Sequence, residues 1–304
     1  MNYTLHQLRI FLKVSECQSV TRAAEELHLT QPAVSIQLKK LQDQFELPLT
    51  EVIGRQLYFT DFGKEIAERS RKILEEADAI RYTVAQYKGL LTGKIKISVV
   101  STGKYVIPYF LKPFMDQYPE VEIFIDVSNK NKVIEGLIQN DSDFSLVSVL
   151  PKDVKVHQVE LMENRLFLVG SKIYKEKLKR PKDLEKLTLL FREEGSATRN
   201  AMTTYLAENQ IKVGKSMELV SNEAVKQAIY AGIGVSVVPL IGLRTGIENA
   251  NIHIYPFKGL PIITNWNLIY NQGKNLTPAQ AALVSYMETH KHEIAQRHFD
   301  WALE

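Results

Sequence analysis

The sequence of 304 residues has a single cysteine, Cys17, so no intrachain disulfide can form. One thiol fits a reducing compartment. Cys17 lies in an apolar run, which predicts a plain buried thiol rather than a redox sensor. No run of about 18 apolar residues occurs, and no apolar signal core opens the chain, so neither a membrane span nor export is expected and the cytoplasm is the expected location. G-x-S-x-G, a phosphate-cradling P-loop and paired Cys/His ligand spacings are all missing, so no catalytic set, no cofactor and no metal are expected. His290 and His292 are two apart on an expected helix and do not share a face; with His298 they read as solvated. Charge of one sign is scarce too. The net charge is +3, and residues 1–60 hold six Lys/Arg against six Asp/Glu, a local balance of zero. Nucleic-acid surfaces are usually basic, so the bulk charge supports no such surface, and the direction in which each charge points must decide.

What is present is an ordinary globular composition, 45% hydrophobic and 24% charged, at a length that predicts two or three folding units. Residues 4–17 space Leu5, Leu8, Phe11, Leu12 and Val14 near helical periodicity. Ser19 is a good N-cap for a second helix to about Leu27, and the small Ala23 and Ala24 allow close helix approach. Thr30 caps a third helix in whose first turn Pro32 is tolerated. There Val34, Leu38, Leu41 and Phe45 make the buried stripe, while Gln31, Ser35 and Lys39 occupy another face beside Pro32. That face has hydrogen-bonding groups and a cation, and its first turn is where a recognition helix meets base edges. Residues 47–60 form two short extended runs around Gly54-Arg55, predicting a hairpin, or wing, with a cation at its tip that suits phosphate or minor-groove contact.

From about Asp61 to Leu91 no proline and, between Gly63 and Gly89, no interior glycine interrupts the chain. Ile66, Ile73, Ile80 and Tyr87 recur every seven residues, with Ser70, Ala77, Val84 and Leu91 as a second row. This predicts a long helix with a coiled-coil seam for dimerisation, ended by Thr92-Gly93. Residues 94–304 alternate apolar runs (95–100, 121–127, 144–149, 165–170, 187–191, 235–239, 266–270) with helical patterns, predicting α/β architecture with largely parallel sheets.

The segment 20–41, VTRAAEELHLTQPAVSIQLKKL, resembles the helix-turn-helix signature of LysR-type transcriptional regulators, and the likeness continues over nearly the whole chain. The resemblance implies an N-terminal all-α winged helix-turn-helix at 1–60, a linker and dimerisation helix at 61–92, and an effector-binding domain at 93–304. It implies that this last part has two α/β subdomains like those of periplasmic binding proteins, about 93–162 with 266–304 and about 163–265, and a small effector in the cleft between them. Carried over by position, Gln31, Pro32, Ser35 and Lys39 line the major groove of double-stranded promoter DNA, Arg55 occupies the wing, and Thr21, Arg22 and Thr30 contact phosphate. The wing departs from the family pattern: Thr50-Glu51-Val52 stands where an aromatic and basic residues are usual, and Arg55 is its sole cation. The resemblance also implies a homo-oligomer, dimer or tetramer, joined through Ile66, Ile73, Ala77, Ile80, Val84 and Tyr87, and contact with RNA polymerase.

In open α/β sheets ligands bind beyond the carboxyl ends of strands, and helix N-termini there favour anions. Ser101, Thr102 and Lys104 follow the first strand and Ser128 and Asn129 the second. Glu194-Gly195-Ser196-Ala197-Thr198-Arg199 resembles the family's Gly-Ser-x-Thr-Arg turn, giving Ser196, Thr198 and Arg199, with Asn222 as a further candidate. A small anionic metabolite is the expected effector. Residues 191–199 are similar to branches controlling carbon dioxide fixation or sulfur assimilation. Capping alone also explains Ser196 and Thr198, and Lys104 also reads as a solvated helix residue. A solute binder or an enzyme using only the α/β part stays open as an alternative, but it would leave residues 1–91 without a role. Activator and repressor remain equally open.

Overall fold

The computed structural model describes every residue except 1, 55, 88–90, 245, 247–251 and 304, and only the backbone at 75, 79, 81–87 and 303. The chain divides into two compact units, Met1–Leu90 and Leu91–Glu304.

In the first unit, helices α1 (Leu5–Cys17), α2 (Val20–Glu26) and α3 (Gln31–Gln42) precede a hairpin of β1 (Thr50–Ile53) and β2 (Gln56–Phe59), and α4 (Asp61–Tyr87) follows. The first-turn N–H groups of a helix have no helical partner, so a short side-chain oxygen fixes where each one starts. Thr4 accepts from the Gln7 N–H at 3.2 Å, Ser19 from Arg22 at 3.3 Å and Thr30 from Ala33 at 3.4 Å. Two apolar clusters result. Leu8, Phe11, Leu41 and Leu49 meet Ala67 and Leu74 of α4, and Ile10 and Val14 close on Ala23, Ala24 and Val34. Gly63 lies against the Leu49 carbonyl, where any Cβ would collide.

The two heptad rows of α4 part company. Ser70 is buried, and its hydroxyl donates to the Ile66 carbonyl at 2.7 Å, so it faces the unit's own core rather than an outside partner. Ile66 is half-buried against the same core. Ile73 and Ile80 are exposed, Ile80 at 67%, and Ala77 is half-buried. Val84 and Tyr87 belong to the helix, but their side chains lie outside the described residues.

The second unit runs β3 (Gly93–Val100), α5 (Ile107–Gln117), β4 (Val121–Ser128), α6 (Lys130–Ile138), β5 (Phe144–Val147), β6 (Val156–Ser171), β7 (Thr188–Arg192), α7 (Ala197–Glu208), β8 (Lys215–Leu219), α8 (Asn222–Tyr230), β9 (Val235–Pro239), β10 (Ile252–Tyr255), β11 (Ile262–Asn271) and α9 (Pro278–Leu303). The strands pair in the order β4-β3-β5-β11-β6-β9-β7-β8, with β10 on β6. Pairing is parallel at each end, β4-β3-β5 and β9-β7-β8, but antiparallel wherever β6 or β11 takes part. The expected largely parallel sheet is therefore a mixed one. The reason is topological: the chain crosses from one half to the other along β6 and returns along β11, and strands run in opposite directions on the two journeys.

Each half has its own core. Ile95, Ile97, Phe110, Phe144, Trp266 and Leu283 belong to one, drawn from residues before Leu166 and after Ile262. Leu166, Leu189, Met202, Tyr205 and Val235, with Val225 and Ile229 in an adjoining cluster, make the other. Full burial of such side chains contributes about 1.5–3 kcal/mol each. No described helix is long and apolar enough to cross a membrane.

Candidate nucleic-acid interface and ligand cleft

The first turn of α3 presents Gln31 and Pro32 to solvent, with Ser35 half-buried one turn on and Lys39 exposed beyond it. Gln31 Nε2 donates to Ser35 Oγ at 2.9 Å, so the amide is held over the hydroxyl as one polar patch. Thr21 and Arg22 are exposed at the start of α2 and Thr30 at the start of α3. Arg55 lies outside the described residues. The hairpin beside it exposes Val52 (72%) and Ile53, and a groove of about 600 Å³ between α2 and the hairpin is lined by Ser19, Thr21, Gln56 and Tyr58.

The zero net charge of this unit is only partly paired off. Lys13 pairs with Glu16 at 3.0 Å and Glu26 at 3.3 Å, and Arg9 with Asp78 at 4.0 Å. Arg22, Lys39 and Lys40 make no direct ion pair among the described residues. Two acids are thus turned to Lys13, and Glu25, Asp43, Glu46 and Glu51 make no ion pair among the described residues either, so position rather than surplus distinguishes the three cations. Hydrogen bonds, from the Lys13 ammonium first and then the Cys17 thiol, hold the Glu26 carboxyl below its usual range. Cys17 itself is half-buried, not fully buried, and its thiol donates to Glu26 at 3.5 Å. Burial first, then Glu26, pushes that thiol up, away from the reactive thiolate.

In the second unit the carboxyl ends of β3, β4, β5 and β7 converge. Ser101, Thr102, Asn129, Ser196 and Thr198 line a small polar cavity of about 20 Å³ there. Ser101 Oγ donates to the Ser128 carbonyl at 3.0 Å, tying the ends of β3 and β4 together. Asn129 caps α6 through the Lys132 N–H at 3.0 Å. Ser196 is the N-cap residue of α7, yet its side chain makes no capping bond, so capping does not account for its hydroxyl. Gly195 has φ +82°, and a Cβ there would lie 2.5 Å from the Asn131 amide, so the two walls touch at this point. That contact requires glycine on both counts.

Four further polar residues line the cavity that sequence reasoning did not select: Lys130, Ser148, Arg192 and Glu193. Arg192 is 3% exposed. It grips Glu193 with Nε and Nη2, both at 2.7 Å, and Nη2 reaches Ser101 Oγ at 3.4 Å. A signal existed: a cation closing the otherwise apolar strand TLLFR is costly to bury without a purpose.

Other expected residues are placed elsewhere. Arg199 donates to the Arg192 carbonyl at 2.6 Å, pairs with Glu218 and lies over the Phe191 ring, so it braces β7 against β8 and does not line the cavity. Lys104 is exposed, over the Tyr105 ring at 5.2 Å. Ser128 contributes its carbonyl to Ser101 and is not among the cavity-lining residues. Asn222 is buried at the start of α8, its side-chain amide unpartnered, and it too is absent from the lining. Beyond Lys130, Ser148, Ala197 and Thr198 the cleft widens into a second space of about 590 Å³ with mainly apolar walls, reaching Tyr205 and Ile263.

The family description "Bacterial regulatory helix-turn-helix protein, lysR family" matches residues 5–64, and "LysR substrate binding domain" matches residues 88–291. The transcriptional activator CmpR of Synechocystis sp. is 33% identical over 297 residues, covering 97% of this chain and 98% of the relative. A RuBisCO operon transcriptional regulator of Allochromatium vinosum is 34% identical, covering 94% and 96% respectively. The CcmR regulatory domain of Synechocystis PCC6803, solved in complex with 2-PG, superposes with a TM-score of 0.62 at 26% identity, covering 66% of this chain and 98% of that domain. A helix-turn-helix whose polar first turn faces solvent, followed by a two-cored α/β unit with a polar cavity where its strands end, thus has relatives that regulate transcription rather than catalyse reactions, and the chain belongs to the LysR family of DNA-binding, effector-responsive transcription regulators.

Proposed function

We propose that this regulator is set by a small anionic metabolite held where β3, β4, β5 and β7 end, between a half formed by residues 93–162 and 266–304 and a half formed by 163–265. The observation that carries the reading is Arg192. A guanidinium 3% exposed, beside the hydroxyls of Ser101 and Thr102 and the first turn of α7, is the group with the chemistry to anchor an anion once it exchanges Glu193 for it. The 2-PG held by the CcmR domain lends support. The wider apolar space beside the cavity has room for the uncharged part of a larger effector.

DNA is read by residues 1–60. Gln31, Pro32, Ser35 and Lys39 face base edges, and Thr21, Arg22, Thr30 and Arg55 face the backbone. The helix of residues 61–92 joins the heads of a dimer or tetramer through Ile73, Ala77 and Ile80, with Ile66, Val84 and Tyr87 continuing the seam. The protein acts in the cytoplasm. The effector binds the closed cleft better than the open one, and the shift changes head spacing, DNA bending and contact with RNA polymerase.

The test is a thermal-shift screen of central-metabolism anions on the full chain. A ligand at a hundred times its Kd stabilises by about 2.7 kcal/mol. Ser101→Ala and Thr102→Ala should remove that stabilisation. A ligand that stabilises both variants as well as the native chain rules the cavity out as its site.

A further inference from the structure

The cleft already holds an anion of its own. Glu193 is the one carboxylate lining the polar cavity among the described residues. It takes two parallel hydrogen bonds from Arg192, both at 2.7 Å. That fork-on-carboxylate geometry is the one a ligand carboxylate or phosphate uses. With Glu193 in place the cavity of about 20 Å³ has room for little more than one water, which needs ~10–15 Å³ of such space. A phosphate group does not fit without a rearrangement. The two residues are also adjacent in the chain, so the carboxylate is presented to the guanidinium with almost no loop to close. Asn129, Lys130, Ser148, Ser196 and Thr198 bring hydroxyls, an amide and a cation. Every other polar contribution thus favours negative charge, and Glu193 already supplies it.

We propose that Glu193 is a built-in competitor for the effector. This rests on the reading that an anion is the effector. An incoming anion must take Arg192 from Glu193, and the displaced carboxylate moves off to solvent. No bond is made or broken beyond these hydrogen bonds. Glu193 therefore holds the affinity down and keeps Arg192 satisfied when the cleft is empty. It restricts occupancy to anions that offer more than one carboxylate can, such as a phosphate dianion with further oxygens for Ser101 and Thr102. An acid that only steadied Arg192 for the ligand would have the opposite effect when removed.

The test uses the full-length protein, inorganic phosphate as the probe, and titration followed by melting temperature and calorimetry. Glu193→Gln should bind phosphate on the order of tenfold more tightly than the native chain, within the usual span of coupling between two sites. The same variant should melt lower than the native chain without phosphate and regain the difference with it. Glu193→Asp keeps a carboxylate on Arg192 and folds even where the Gln variant does not. It reaches less far, so it should tighten binding by a smaller factor. Arg192→Gln should abolish the phosphate response. Weaker or unchanged binding in both Glu193 variants overturns the competitor, as does full phosphate binding by Arg192→Gln. If Ser101→Ala still loses the native response in those same titrations, the anion reading survives and only the competitor falls. No phosphate response in any variant sinks both.

Discussion

On α3, Gln31, Pro32 and Lys39 stand in water and Lys39 has no ion partner among the described residues, whereas in the cleft Arg192 is 3% exposed and donates twice to Glu193. Groups of the first kind change little on binding. Their gain comes from displaced counterions and matched base edges, so it falls with salt. Groups of the second kind are already satisfied, and a ligand gains only what it offers beyond the existing bonds. The head is built to meet many DNA sequences weakly and a few well. The proposed competition at Arg192 would make the cleft reject most anions.

The comparison breaks first at oligomerisation. If weak heads rely on being joined, Ile73→Glu with Ile80→Glu should yield monomers and lose about a hundred- to ten-thousandfold in operator affinity, read by sedimentation and fluorescence anisotropy. An unchanged affinity in a proven monomer would show that one head suffices. Next is the core of the cleft unit. Trp266 is fully buried, so Trp266→Ala should destabilise that unit by about 3–5 kcal/mol, with denaturant melts as the readout. Smaller effects sharpen the contrast within the head. Gln31→Ala should cost about 1–3 kcal/mol on the operator and far less on random duplex, while Arg22→Ala should weaken both alike and reduce the salt slope by about one. Smallest is the α3 cap: Thr30→Ala should cost about 1 kcal/mol of stability, visible in the same melts, in addition to any lost phosphate contact.

The head was legible because its signals are local. A cap is one residue before its helix, and the buried stripe of Val34, Leu38 and Leu41 repeats within three turns. The long helix was legible as a helix, but the two sides of α4 were not, because Ser70 is buried and Leu74 joins Leu8 and Phe11 of α1 in the core rather than answering to heptad spacing. The cleft was half legible. Ser101, Thr102, Asn129, Ser196 and Thr198 follow strand ends in the sequence and do line the cavity. Arg199 sat in the same short stretch, yet its side chain turns away to Glu218, and chain position does not carry that direction. Arg192 and Glu193 were passed over as the strand's end rather than the site's beginning. β8 and β10 were missed because one is mostly exposed and the other four residues long, so neither leaves an apolar run.

β6 and β11 pair over ten rungs, and the register slips once, between Trp266 and Asn267, leaving Leu161 of β6 without an opposite number. The slip lies where the two cores hand over to each other. A bulge of this kind weakens the ladder locally and raises its twist. The two halves are therefore joined by a ribbon with one soft rung, not by a slack tether. Such a ribbon resists stretching and sliding but yields to torsion. A cleft that opened along this ribbon would turn like a screw about Leu161, and an effector that closed it would set an angle rather than a distance.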